Sequence, residues 1–217
     1  MRPIAHIISF IFHPLLIPSY LFLFLYQIDP MLLDDQINAL RHQSDINPFV
    51  AQHFPATVFS IIMIVSFFFP VFAIFLMVKL GFVNNFYMLE RRERILPLIA
   101  VSFFFFLNFY MVKNYFYLNH QATTAYFGAW LSVSIAFLFT LFYRVSLHAV
   151  GIGAMIGIAL MTIQFSSFNL LVPIVLIIAI AGLVGWSRLK LDAHIPVELY
   201  SGYTIGLFAQ LVTYRFY

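Results

Sequence analysis

Long apolar runs that carry almost no charge constrain this chain more than any other feature. Seven stretches (4–26, 57–80, 97–118, 123–143, 148–165, 168–186 and 195–215) each approach the ~20 apolar residues that a helix needs to cross a bilayer. In hydrocarbon the backbone must satisfy its own hydrogen bonds, and a single apolar run does so as a helix. Only 9% of the 217 residues are charged, against about 25% in a soluble domain. A soluble fold of this size could not hide so much apolar surface, so lipid is the expected solvent and the bilayer the expected partner. The 28 Phe and 12 Tyr suit lipid-facing and interfacial positions. The expected architecture is all-α: one polytopic domain over 1–217, a bundle of about seven spanning helices, placed in the cytoplasmic membrane.

The run from Ile4 to Tyr26 is long enough to span, and no small-residue cleavage site follows it. It reads as the first membrane helix and not as a cleaved leader. The longest polar stretch, 27–56, holds Asp29, Asp34, Asp35, Arg41 and Asp45, with a short amphipathic surface helix expected over Met31 to His42. The net charge of +3 is too small and too dispersed for a nucleic-acid footprint. The absence of cysteine excludes disulfides and thiolate metal sites.

Counting spans places three polar clusters at one face. They are Glu90-Arg91-Arg92-Glu93-Arg94, then Arg144-Val145-Ser146-Leu147-His148, then Ser187 to Glu198. Two spans separate each cluster from the next, so a hairpin returns the chain to the same side. The excess of Lys and Arg on that side favours a cytoplasmic-facing cluster, although the arginines that could bind an anion bias that count.

Ionisable groups at membrane depth are costly, and a functional reading is the default there. His194 and Glu198 are four apart, on one face of a helix that Pro196 would open. A carboxylate one turn from an imidazole accepts one ring N–H and leaves the other nitrogen free as a nucleophile or base. Arg188 supplies a fork of donors for phosphate oxygens, and free N–H groups at the helix start add to it. The plainer alternative is a snorkelling arginine beside an interfacial histidine. Ser146 and His148 open the fifth helix; alone they read as a cap and an interfacial ring, and facing His194 they gain a second role in acid–base chemistry. Arg91, Arg92 and Arg94 read either as a headgroup-contacting run or as phosphate ligands. His6 and His13, seven apart on the first helix, either line a polar cavity or serve as interfacial and packing residues. His148, His194 and Glu198 also offer a set of metal ligands, but the neighbouring Arg188 argues against a cation there. No metal and no cofactor are expected.

Ser187-Arg188, five residues, His194, three residues and Glu198, with Gly202 and Gly206 following, resembles the last signature of the type 2 phosphatidic acid phosphatase superfamily. Val145-Ser146-Leu147-His148 resembles a degraded form of its Pro-Ser-Gly-His signature, and Arg91 to Pro97 matches the first signature weakly. The resemblance spans about 90–210. It implies a core like that of the superfamily and a metal-independent phosphohydrolase acting on a lipid or isoprenoid phosphate. It further implies His194 as nucleophile through a phosphohistidine, Glu198 as its orienting group and His148 as general acid. Arg188 and Ser146, with Arg91 or Arg94, would hold the phosphate. Glu198 stands where the family has Asp, and Leu147 where it has Gly. Those departures open the alternative of a non-catalytic binder or transporter of anionic lipid phosphates.

Overall fold

The structure is a computed structural model that describes residues 1–29, 32–34, 36–38, 48–86, 88, 90–164 and 169–217. Among these residues every regular element is helical. The α-helices are α1 (Arg2–Ile11), α2 (Ile17–Ile28), α3 (Pro48–Met63), α4 (Phe69–Lys79), α5 (Ile95–Asn114), α6 (His120–Thr140), α7 (Leu147–Thr162), α8 (Leu171–Lys190) and α9 (Pro196–Phe216). Five helical stretches are long and apolar enough, by length and composition, to cross a membrane: Arg2–Ile28, Gln52–Lys79, Arg92–Asn114, His120–Thr140 and Leu171–Lys190. The other two expected spans are also helical. However, α7 has only 16 residues, and α9 is interrupted by polar residues such as Ser201, Thr204, Gln210 and Thr213. Many large apolar side chains point outward, among them Phe72, Phe103, Val172 and Phe208, as lipid-facing positions do. The surface helix expected over Met31–His42 falls partly outside the described residues, and Asp35, Arg41 and Asp45 lie outside them; Leu32 and Leu33 are buried in the main apolar core.

The first expected span is not one continuous helix. Pro14 pushes His13 into an extended conformation (φ −65°, ψ 135°), as a residue before proline prefers. The chain then makes a 3-10 turn over Pro14–Leu16 and resumes as α2. His6 and His13 therefore do not lie along one continuous helix, and His6 is exposed while His13 turns inward. The second rod also departs from α geometry, widening to a π turn over Ile64–Phe68 just before Pro70. Proline lacks the N–H that would continue the ladder, and the wider turn lets Phe69 donate to the Ile64 carbonyl instead. The two irregular segments pack against each other.

Helix α9 packs most extensively on α7 and then on α6. The α7–α9 crossing is backbone against backbone. A Cβ added at Gly202 would lie 2.7 Å from the Ser146 carbonyl oxygen, and one at Gly206 would collide with the Val150 carbonyl. Small residues spaced four apart permit such an approach in apolar surroundings.

Contacts between distant segments define the two ends of the bundle. At one end Arg2 pairs with Asp192 at 2.8 Å, Arg91 donates to the Thr140 and Leu141 carbonyls, and Arg144 donates to the Ala193 carbonyl at 3.1 Å. At the other, Asn119 donates to Asp29 at 2.6 Å and Gln36 to the Tyr117 carbonyl at 2.6 Å. The three polar clusters thus gather at the first end, with the N-terminus.

Candidate functional site

Local geometry delivers His194 and Arg188 to one place. α8 ends with Ala193 N–H on the Arg188 carbonyl and Asp192 N–H on the Leu189 carbonyl, with Asp192 at φ 52°. This is the bonding of a Schellman-type close, and Asp is among the few residues that tolerate the left-handed region. The turn leaves Arg188 in the last helical turn and sends the chain back through His194. Ile195 is extended, Pro196 opens α9, and Glu198 sits in its first turn, where a carboxylate is favoured.

His194 therefore precedes α9 and does not share a helical face with Glu198. The expected pairing still forms, because Glu198 reaches back to the incoming loop. His194 Nδ1 donates to Glu198 Oε2 at 2.7 Å. Arg144 Nε lies 3.9 Å from the other carboxylate oxygen, and the Ser146 N–H donates to the Glu198 carbonyl at 3.1 Å. With Nδ1 committed, the neutral His194 ring carries its lone pair on Nε2. Burial, together with the Arg188 and Arg94 charges, outweighs Glu198 and holds the imidazole below the ordinary histidine range.

His194, Arg188, Arg94, His148 and His13 line one cavity of about 370 Å³. Its deeper wall is apolar, formed by Leu98, Val101, Phe105, Ala129 and Val133. Arg188 Nη1 donates to Ser9 Oγ at 3.2 Å, and its buried Nε has no hydrogen-bond partner among the described residues. Arg94 is anchored by donation of Nε to the Met88 carbonyl at 2.9 Å. His148 Nε2 donates to the Ser9 carbonyl at 3.0 Å, which leaves Nδ1 as the free nitrogen. A cleft that pairs apolar walls with a few converging cationic donors is suited to an amphiphilic anion.

Four of the expected site residues line this cavity: His194, His148, Arg188 and Arg94. Glu198 stands behind His194. Two expected phosphate ligands are placed elsewhere. Ser146 is fully buried and caps α7, its hydroxyl accepting the Ala149 N–H at 3.5 Å. Arg91 serves the C-terminal carbonyls of α6, where a cation meets the negative end of the helix dipole. Leu147, at the position the resemblance gives to glycine, adds its side chain to the cavity lining. Among the described residues no three His, Asp or Glu side chains gather closely enough to hold a metal ion. Sequence reasoning assigned no role to Ser9 or Arg144. Ser9 is a small residue in an apolar run, and only the fold carries it to Arg188, 179 positions away. No protein-family model matches the chain, and neither a curated protein nor a solved structure matches it.

Proposed function

We propose that this chain is an integral-membrane, metal-independent phosphohydrolase for a lipid or isoprenoid phosphate or diphosphate. In this reading α7 and α9 cross the bilayer with the five longer stretches, giving seven spans and a site at one membrane face. The observation that carries the reading is the state of His194. Its Nδ1 is held by Glu198 at 2.7 Å, while the ring lines the same cavity as Arg188 and Arg94.

In the first step His194 Nε2 attacks phosphorus and the bond from phosphorus to the leaving oxygen breaks. Arg188 and Arg94 stabilise charge on the phosphoryl oxygens. His148, neutral in the empty cavity, takes up a proton on Nδ1 as the anionic phosphate binds beside it, since a nearby negative charge favours the imidazolium. Its Nε2–H stays on the Ser9 carbonyl, and Nδ1–H passes to the leaving oxygen. In the second step water attacks the phosphohistidine, gives a proton to His148 Nδ1 and releases inorganic phosphate. The apolar wall of the cavity accepts the beginning of the lipid tail. Phosphate release by purified protein from a panel of lipid phosphates and prenyl diphosphates tests this. His194→Ala should abolish release and His148→Ala should cripple it; release at the wild-type rate in both variants overturns the hydrolase reading.

A second reading, a binder of lipid phosphates without turnover, is favoured by the placement of Ser146 and Arg91. Both are engaged with helix ends, so fewer donors surround the anion than the resemblance implies. It predicts saturable binding with no phosphate released. The membrane face is tested by single cysteines at the exposed positions Lys190 and Tyr117, which lie at opposite ends of the bundle. An impermeant thiol reagent applied from one side should label one and spare the other.

A further inference from the structure

The first helix is broken at the depth of the cavity, and side chains of the bundle occupy the carbonyls that the break leaves. α1 stops at Ile11, and Pro14–Leu16 turn before α2 begins. Backbone groups freed in apolar surroundings need partners. His148 Nε2 takes the Ser9 carbonyl at 3.0 Å, and the Tyr20 hydroxyl takes the Ile11 carbonyl at 2.6 Å. The Ser9 hydroxyl in turn accepts from Arg188 Nη1 at 3.2 Å. One residue of α1 therefore orients two groups of the site.

His13 stands in the break itself. Its Nδ1 accepts the Leu15 N–H at 3.3 Å, so in the neutral ring the proton lies on Nε2. The ring is held edge-on by His148 (centroids 5.6 Å apart, 79°) and by Phe67 of the π turn (6.3 Å, 86°). It lines the cavity with Arg94, Arg188, His148 and His194. The two adjacent imidazoles thus present opposite chemistry. Neutral His148 offers a lone pair on Nδ1, whereas neutral His13 offers an N–H on Nε2. Phosphate oxygens are acceptors, and a neutral donor can bind one without adding a further positive charge beside Arg188 and Arg94.

We propose that His13 is a substrate-binding residue whose Nε2–H donates to an oxygen of the bound phosphate alongside Arg188. The assignment rests on the reading of this cavity as a phosphate site. The test titrates dodecyl phosphate, with dodecanol as the control for tail partitioning, into wild type, Arg188→Ala, His13→Phe and His13→Gln in lipid nanodiscs. Phenylalanine keeps the ring's bulk and loses the donor; glutamine restores an N–H at similar reach. Affinity should fall about ten- to a hundredfold in His13→Phe, the loss expected for one hydrogen bond to a charged group, and largely recover in His13→Gln. Unchanged affinity in His13→Phe with weakened binding in Arg188→Ala overturns the role of His13 and leaves the phosphate site standing. Absence of saturable binding by wild type overturns both. ¹⁵N-histidine labelling gives a second readout should His13→Phe fail to fold. The Nε2–H proton of His13, assigned by its absence from His13→Gln, should move downfield on adding dodecyl phosphate, and an unmoved resonance overturns the proposal.

Discussion

The bundle has a cavity with some polar lining groups at each end, and the two differ in what those groups have left to do. The one at the opposite end from His194 is the larger, about 590 Å³, and is lined by Asn119, His120, Gln121, Gln210, Tyr214 and Arg215 among others. Much of its polarity is already committed. Gln121 donates to Thr162 Oγ1 at 3.0 Å, Gln210 to the Ala125 carbonyl at 3.1 Å, and Tyr214 to Gln164 at 3.0 Å. Asn119 caps α6, and the His120 ring stacks on Tyr217. At the histidine end, Arg188 keeps a buried Nε without a hydrogen-bond partner among the described residues. His194 and His148 each hold one ring nitrogen to the protein and keep the other back. Volume therefore does not mark the candidate site. Cationic donors and imidazole nitrogens left in reserve do, since leaving them buried without an anion is costly.

The sharpest break of this comparison is His194→Ala. It should lower phosphate release by three orders of magnitude or more, as loss of a nucleophile does, while thermal stability changes little. Equal turnover in the variant would remove the distinction between the two ends.

The comparison also depends on α7 and α9 holding both cavities in register through their backbone contact. Gly206→Val should destabilise the fold by about 3 kcal/mol or more, because the new side chain meets the Val150 carbonyl rather than a movable side chain. Thermal unfolding in detergent reads this, and a melting temperature like that of wild type would contradict the close crossing.

Glu198→Gln removes the charge that orients His194 and keeps the shape. Turnover should fall about ten- to a hundredfold, with a smaller change in KM than in kcat. An effect confined to KM would make Glu198 a binding group instead.

The depressed titration of His194 has a readout of its own. Its folded pKa lies below the unfolded value of about 6.5, chiefly through burial. The folded state therefore binds fewer protons, and stability is complete above about pH 6.5 and falls as the pH drops toward the folded value. Thermal stability should decline through that window, and the decline should be shallower in His194→Gln. Equal slopes would mean that other groups carry the dependence.

The smallest expected effect belongs to the opposite cavity. Arg215→Ala should change dodecyl phosphate affinity by less than about twofold, since Arg215 lies at the far end of α9 from Glu198. A loss matching that of Arg188→Ala would show that both ends bind the anion.

The apolar runs foretold the helices well, because a spanning segment satisfies its backbone locally and its length is set by the bilayer. Parity then placed Arg94, His148, Arg188 and His194 at one end, where the structure brings them together. The His194–Glu198 contact was legible from spacing, although it forms between a loop and the first turn of α9 and not along a helix. Arg91 and Ser146 show where that reading stops. Composition assigns an arginine or a serine equally to an anion or to a helix end, and here the nearest unsatisfied groups were the α6 carbonyls and an α7 N–H.

By itself, then, the sequence determined that this chain is helical, that its apolar runs suit lipid, and that its scarce charges gather toward one end. Those properties follow from local hydrogen bonding and from the cost of placing charge in hydrocarbon. The tertiary structure decided which charges face a cavity and which serve helix ends. It also recruited a broken first helix, setting His13 beside His148 and Ser9 against Arg188. Such pairings join residues more than a hundred positions apart, and no local pattern encodes a contact that exists only once α1 has docked against α7 and α8.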